Sequence, residues 1–232
     1  MIPLRDEVRS RRRPFLVYTL IALNVLVWLI EFFLYLRSRG GFVDFLYTFG
    51  LVPRRLFLYT NWMDVGTVFS SMFLHDAPSP LHVGMNMLFL WVFGDNIEDA
   101  LGHWWFIPFY LFCGAAGALL HAVTVVGSET VLIGASGAIS GILGAYIVLY
   151  PRSRIMSLVF LFFFIRLIYI PAWVFIGIWF AYQLLYGLLT LGTGGGGVAF
   201  LAHVGGFLAG LSIVLIFRKR LRHRALANVE FY

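Results

Sequence analysis

Charged residues are scarce in this chain: Asp, Glu, Lys and Arg make up 12% of the 232 residues, whereas hydrophobic residues make up 61%. About a quarter of an ordinary soluble domain is charged, so this composition is typical of a membrane protein. The basic surplus gives a net charge of +6. These basic residues flank apolar runs and form no single basic face, which argues against nucleic-acid binding and indicates a role in membrane topology.

Cysteine is almost absent. The single residue, Cys113, lies inside an apolar run, so neither an internal disulfide framework nor a cysteine metal site can be built. The sequence also lacks an HExxH motif, and zinc sites usually need three His, Cys or carboxylate ligands. We therefore expect no metal and no cofactor. No small-residue cleavage site follows the long first apolar run, which favours a retained helix over a secretory signal.

The chain has instead a series of apolar runs long enough to cross a bilayer as helices that satisfy their own backbone hydrogen bonds. We predict an all-α polytopic membrane protein, a bundle of six transmembrane helices at about 15–35, 82–101, 104–126, 133–150, 171–191 and 198–217. The membrane domain then covers 15–217, with an outer loop at 37–81. Basic segments at 1–14 and 218–232 flank it.

The basic clusters predict the orientation. The positive-inside rule places both flanking segments in the cytoplasm, which requires an even number of crossings. Six crossings also place Arg152, Arg154 and Arg166 on the cytoplasmic side. The apolar run at 155–170 ends at Arg166 after about ten residues, so it is predicted to be an interfacial or re-entrant piece and not a seventh span.

Three polar side chains fall at a similar depth in this topology. His82, Ser136 and His203 lie near the outer ends of the second, fourth and sixth spans. Polar groups in lipid are costly unless they face a bundle interior or water, so such a cluster indicates a functional site. The alternative is that these residues are hydrogen-bonded packing residues, which are common in membrane bundles.

Small residues suggest how these side chains could meet. Gly206 and Gly210 form a GxxxG pattern, and Gly137, Gly141 and Gly144 recur on the serine-bearing span. Such stripes let two helices approach backbone to backbone. A serine nucleophile needs a base within about 2.6–3.2 Å, and close packing would supply His203 to Ser136. Ser140 is interpreted as a residue that bonds across helices.

His82 and Asn86 are four residues apart, so on a helix they share one face. Both can donate hydrogen bonds, and with the backbone N–H of Ser136 they could stabilise an oxyanion. Glu31 is predicted to reach the surface or to pair with an outer arginine. The remaining ionisable residues of interest are interpreted as structural: His75, Asp95, Glu98, Asp99, His103, His121 and His223.

Three motifs resemble those of the rhomboid intramembrane serine proteases: HVGMN at His82–Asn86, GASG at Gly134–Gly137 and AHVGGFLAG at Ala202–Gly210. The resemblance implies a six-helix bundle with a Ser–His dyad and no cofactor. By motif position it implies that Ser136 is the nucleophile and His203 the base, with His82, Asn86 and Gly134 at the oxyanion site. It further implies cleavage of transmembrane segments of other proteins near the outer surface of the cell membrane.

The chain departs from the family pattern at Ser140, where relatives often carry an aromatic residue packed on the catalytic histidine. His203 therefore needs another support. Two other functions remain as alternatives: a catalytically silent rhomboid-like protein that binds transmembrane helices, and a transporter or channel. The clustering of polar residues at one depth argues against a transport path. The glycine-rich segment 192–197 could be a cap over the site or a linker.

Overall fold

A computed structural model describes residues 1–59, 61–161, 164–191 and 199–226. The glycine-rich segment, the start of the sixth predicted span and the end of the tail lie outside these residues. The described chain is mostly helical. In chain order its helices are α1 (Phe15–Arg37), α2 (Arg39–Phe49), α3 (Pro53–Leu58), α4 (Trp62–Ser70), α5 (Pro80–Leu101), α6 (His103–Thr124), α7 (Ser136–Leu149), α8 (Ala172–Leu189), α9 (Phe200–Ile216) and α10 (Arg218–Leu226).

Six of these helices coincide with the predicted spans, but they differ in length. Within the described residues, α1, α6 and α8 are long and apolar enough to cross a membrane, whereas α7 and α9 are shorter apolar helices. At 1.5 Å per residue, α7 is about 21 Å long, less than the hydrocarbon thickness of about 30 Å. Most of α7 is buried within the protein. A helix enclosed by neighbouring helices does not need to match the lipid itself.

The predicted outer loop is largely helical. It contains α2, α3 and α4, followed by a 3₁₀ turn at Ser71–Phe73. Asn61 caps α4, its side chain accepting a hydrogen bond from the backbone N–H of Asp64 at 2.9 Å. The loop is tied to the segment before α7 because Leu51 and Leu132 exchange backbone hydrogen bonds of 3.1 and 2.8 Å.

The expectation of an all-α chain is wrong in one respect, because the structure contains a three-stranded antiparallel sheet. Its strands are β1 (Ile2–Asp6), β2 (Arg154–Leu161) and β3 (Phe164–Pro171), in the order β1-β2-β3. The apolar run at 155–170 is rich in β-branched and aromatic residues and too short to span as a helix, so it folds back as a hairpin. The N-terminal segment covers one edge of this hairpin, with Asp6 opposite Ile155.

Both described ends of the chain lie at the same end of the bundle, away from Ser136. The strand β1 contacts the C-terminal half of α5, and α10 contacts α5 and α7. The acidic residues of α5 hold this end together: Glu98 is buried and accepts hydrogen bonds from the backbone N–H groups of Leu16 and Val17, at 3.0 and 2.8 Å. Glu98 therefore caps the start of α1, where backbone N–H groups have no helical partner.

A partly buried carboxyl group links the sheet to this end of the bundle. The Oδ2 atom of Asp6 accepts hydrogen bonds from the Tyr146 hydroxyl and, at 2.7 Å, from Asn96 Nδ2. Burial is the main cause that raises the pKa of Asp6 from 3.8 to about 7. The folded protein therefore holds this proton over a pH range in which the unfolded chain has lost it, and stability falls as the pH rises through that range.

The substitution Asp6→Asn is expected to remove this loss. The asparagine side chain keeps an oxygen that can accept from Tyr146 and Asn96, but it has no charge to bury. The advantage of the variant over the wild type in unfolding free energy should grow between pH 4 and 7 and then level off, reaching roughly 2–4 kcal/mol at pH 8. Thermal denaturation in detergent across this pH range measures it. Glu7→Gln, the same kind of change at an exposed neighbour, is the control for loss of one acidic charge.

Candidate active site

Ser136 and His203 are directly hydrogen-bonded. Ser136 is the first residue of α7, and His203 lies in the first turn of α9. The distance between Ser136 Oγ and His203 Nε2 is 2.8 Å, within the range that proton transfer from a serine hydroxyl to a base requires. The residues are 67 positions apart in the chain, so this contact depends on how the two helices pack.

The two helices pack at backbone distance because the contact is lined with glycine. A Cβ atom on Gly206 would lie 1.9 Å from the carbonyl oxygen of Gly137, and one on Gly210 would lie 2.0 Å from that of Gly141. On the other side of the contact, a Cβ on Gly144 would lie 2.2 Å from the carbonyl oxygen of Phe207. No other residue type fits at these positions without moving a helix, and this packing sets α7 and α9 at the separation that the 2.8 Å bond requires.

Two residues of α8 hold the ring of His203. The distance between His203 Nδ1 and Gln183 Oε1 is 2.7 Å, and the centroid of a Trp179 ring lies 6.0 Å from that of the imidazole. Gln183 is buried. Sequence reasoning misses both residues, although Gln183 is the one glutamine of the chain and interrupts an otherwise apolar helix. A polar side chain in an apolar membrane helix is costly unless it has a partner, so this amide indicates a functional position, as Ser136 does.

Ser140 has a local partner. Its hydroxyl donates a 2.6 Å hydrogen bond to the backbone carbonyl of Ser136, one turn earlier in α7. The expectation that Ser140 bonds across helices is therefore wrong. The hydroxyl forms its hydrogen bond within its own helix, as serine commonly does in apolar surroundings. The His203 ring is therefore supported from α8 and not by Ser140.

His82 lies beside Gly134, which precedes Ser136 by two residues. Gly134 has φ +118°, a conformation that favours glycine, and a Cβ there would lie 3.0 Å from His82 Nε2. The Nδ1 atom of His82 accepts a long, 3.5 Å hydrogen bond from the backbone N–H of Asp76. This bond leaves the ring proton on Nε2, so the N–H of His82 faces the region of Gly134 and Ser136.

Asn86 is positioned by His75, a residue interpreted from sequence as merely structural. The two side chains meet at 3.1 Å, between Asn86 Nδ2 and His75 Nε2. Burial lowers the pKa of His75 to about 3, so the ring is neutral and accepts from the amide. One proton of the Asn86 amide is thereby engaged, and the second remains available for another acceptor.

Glu31 anchors this arrangement from α1. It is fully buried, and its two carboxylate oxygens accept from the backbone N–H of His75 at 3.2 and 3.0 Å. The predicted surface position or arginine partner of Glu31 is therefore wrong. Its partner is a backbone group in the segment between the 3₁₀ turn and α5, a contact across 44 residues that no local pattern reveals.

The described residues hold no group of three or more His, Cys, Asp or Glu side chains arranged to bind a metal ion. His103 contacts Glu98 at the opposite end of α5 from His82. The polar groups near Ser136 are hydrogen-bond donors and acceptors, which suit acid–base chemistry on an organic substrate.

The fold and the site together define a multi-pass helical membrane protein. Its partly buried serine–histidine pair lies at the opposite end of the bundle from the described termini. A family model described as Rhomboid domain matches residues 62–220. The chain belongs to the rhomboid family, as the three sequence motifs predict. The matched region contains α4 to α9, and so includes the helices that carry Ser136, His203, His82 and Gln183.

Curated relatives carry the same family name. The chain is 38% identical over 86 residues to Rhomboid protein 1, mitochondrial, of Saccharomyces cerevisiae, a match covering 34% of this chain and 24% of the relative. It is 30% identical over 151 residues to Rhomboid protease GluP of Bacillus subtilis, a match covering 63% of this chain and 27% of the relative. It is 26% identical over 138 residues to Rhomboid-like protein 11, chloroplastic, of Arabidopsis thaliana, a match covering 60% of this chain and 43% of the relative. The chain thus spans less than half the length of each relative.

Proposed function

We propose that this protein is an intramembrane serine endopeptidase that cleaves transmembrane segments of other membrane proteins. The observation that carries the proposal is the 2.8 Å hydrogen bond between Ser136 Oγ and His203 Nε2. Membership of the rhomboid family supports it, as does the similarity to a Bacillus subtilis relative named a rhomboid protease. Ser136 is the nucleophile in this proposal and His203 is the general base.

The chemistry follows from the roles of the two residues. His203 Nε2 accepts the proton of the Ser136 hydroxyl as Oγ attacks the scissile carbonyl carbon, which gives a tetrahedral oxyanion. The imidazolium then donates this proton to the leaving nitrogen, and the C–N bond breaks to leave an ester on Ser136. Water attacks the ester with His203 again as base, which releases the second product and restores the hydroxyl. No cofactor or metal enters any step.

Donors for the oxyanion are proposed on three sides of the carbonyl oxygen. They are His82 Nε2–H, the second amide proton of Asn86, and the backbone N–H of Ser136 at the start of α7, where N–H groups have no helical partner. Gly134 leaves room beside His82, since a Cβ there would lie 3.0 Å from Nε2. Removing one such donor typically costs about 10²–10³ in kcat.

We further propose six membrane crossings, by α1 and α5 to α9, with both termini in the cytoplasm. The basic clusters at both ends of the sequence support this orientation. Ser136 then lies toward the outer surface of the cell membrane, the side where water can reach it. The substrate is a transmembrane helix that must unwind near this surface, because a helical carbonyl is engaged in its own hydrogen bond. Membrane lipid surrounds both partners.

A fluorophosphonate probe tests whether the site is assembled and reactive. We expect the wild-type protein in detergent to be labelled, because the probe needs an activated serine. Ser136→Ala should show no labelling, whereas Ser140→Ala, the same change one turn deeper in α7, should be labelled normally. If folded wild-type protein resists the probe but still binds transmembrane peptides, the alternative holds: a catalytically silent rhomboid-like protein that binds transmembrane helices.

A further inference from the structure

We propose that Gln183 is a positioning residue that holds His203 in the tautomer required for catalysis, the task that an aspartate performs in a Ser-His-Asp triad. The inference rests on the proposed function of His203 as a base. Its geometric basis is a chain of two hydrogen bonds through one imidazole: 2.7 Å from Nδ1 to Gln183 Oε1, and 2.8 Å from Nε2 to Ser136 Oγ.

The two bonds are chemically linked. A neutral imidazole carries one proton, and the amide oxygen of Gln183 is only an acceptor, so the proton must lie on Nδ1. Nε2 then presents its lone pair to Ser136 and can accept the hydroxyl proton. In the opposite tautomer Nε2 would donate to the serine, and the base would be absent. The amide oxygen thus determines which end of the ring is basic.

Burial gives this contact its strength. Gln183 is 6% exposed on a helix whose other residues are almost all apolar. An unpaired amide in such surroundings is costly, whereas a paired one is stronger than in water. A neutral amide also avoids the desolvation that a buried carboxylate would suffer in a membrane domain. Glutamine orients the ring without adding a charge, which suits a dyad set among lipid-facing helices.

Trp179 completes the support. It precedes Gln183 by four residues, so both side chains lie on the face of α8 that meets α9. Its ring centroid is 6.0 Å from that of His203. One residue of α8 thus fixes the proton of the imidazole, while the other limits its rotation. Together they support the His203 ring from α8, whereas the Ser140 hydroxyl bonds within α7.

Kinetics of purified protein in liposomes, with a transmembrane reporter substrate, test the role. Gln183→Leu, which removes the acceptor at similar volume, should lower kcat roughly 10²-fold and leave KM unchanged, because the base is lost from most molecules while substrate contacts persist. Gln183→Glu, which keeps an acceptor oxygen, should restore kcat to within about tenfold of wild type. Leu184→Ala, at an exposed neighbour on α8, is the control for general damage to the helix.

Nitrogen-15 NMR of histidine-labelled protein supplies a readout that does not depend on activity, with the His203 signals assigned from their absence in His203→Ala. In wild type at high pH, Nδ1 should show the shift of a protonated nitrogen and Nε2 that of an unprotonated one. Gln183→Leu should reverse the two shifts, because the ring proton then lies on Nε2 and is donated to Ser136 Oγ. If Gln183→Leu does not fold, Gln183→Met carries the same test.

The outcomes separate the two proposals. Unchanged kcat and unchanged nitrogen shifts in a folded Gln183→Leu protein would overturn the role of Gln183. They would not contradict the proposed protease function. Wild-type protein that cannot cleave would instead refute the proposed function, and the nitrogen shifts would still show whether Gln183 orders the ring.

Discussion

Cleavage of a transmembrane reporter in liposomes is expected to disappear when Ser136 is replaced by alanine. The variant has no oxygen to attack the scissile carbonyl, and in this proposal no other group in the site replaces it. His203→Ala should be nearly as inactive, because it removes the base that is hydrogen-bonded to the Ser136 hydroxyl. A fall of about 10³-fold or more is expected for either change.

The double variant makes this prediction sharper. Groups that act as one unit lose their whole contribution when either is removed, so Ser136→Ala with His203→Ala should be no worse than Ser136→Ala alone. Ser140→Ala is the matched control, since it removes a hydroxyl from the same helix and should retain cleavage. Reporter cleavage is followed by gel, with wild-type and variant proteins reconstituted at equal amounts. Persistent cleavage by Ser136→Ala would show that another residue supplies the nucleophile.

The contact between Ser136 and His203 can be predicted from the sequence because each residue lies among glycines with helical spacing. GASG and AHVGG give both the reactive side chain and the surface that brings the helices together. The predicted start of α7 lies a few residues too early. Gly134 has φ +118°, which is incompatible with a helix, so the helix begins only at Ser136.

The residues that support the site could not be predicted in the same way. Gln183 reaches His203 from a different helix, and Glu31 reaches His75 across 44 residues, so both contacts exist only after the helices have packed. Sequence periodicity reports which face of an element is apolar, but it carries no information on which two faces meet. Gln183 and Glu31 are visible as polar residues in apolar runs, yet their partners are not.

The three-stranded sheet could not be predicted from the sequence for a related reason. A hydrophobic run interrupted by Arg166 predicts that no helix spans there, and that part agrees with the structure. The pairing of β1 with β2 joins the first residues of the chain to residues beyond 150, and such distant pairing leaves no local signal. The reason for the pairing is energetic: an apolar hairpin edge needs a partner, and the N-terminal segment supplies one.

Gly206→Ala is expected to lower activity about 10²-fold although Gly206 contacts neither reacting atom. The added Cβ would lie 1.9 Å from the carbonyl oxygen of Gly137 and 3.3 Å from that of Cys113. Both neighbours are backbone atoms of packed helices, so the clash cannot be relieved by rotating a side chain and α9 must move away from α7. A shift of about 1 Å would break the bond between Ser136 and His203, and misplacement on that scale costs about 10²-fold in rate.

Gly177→Ala is the matched control because it makes the same change on α8, where a Cβ would meet nothing within 4 Å. It should keep full activity and gain about 0.5–1 kcal/mol of helix stability. Fluorophosphonate labelling and reporter cleavage, measured on protein that elutes as wild type in size-exclusion chromatography, separate loss of the site from loss of the fold. A folded Gly206→Ala protein with wild-type cleavage would show that the glycine contact is not what holds Ser136 against His203.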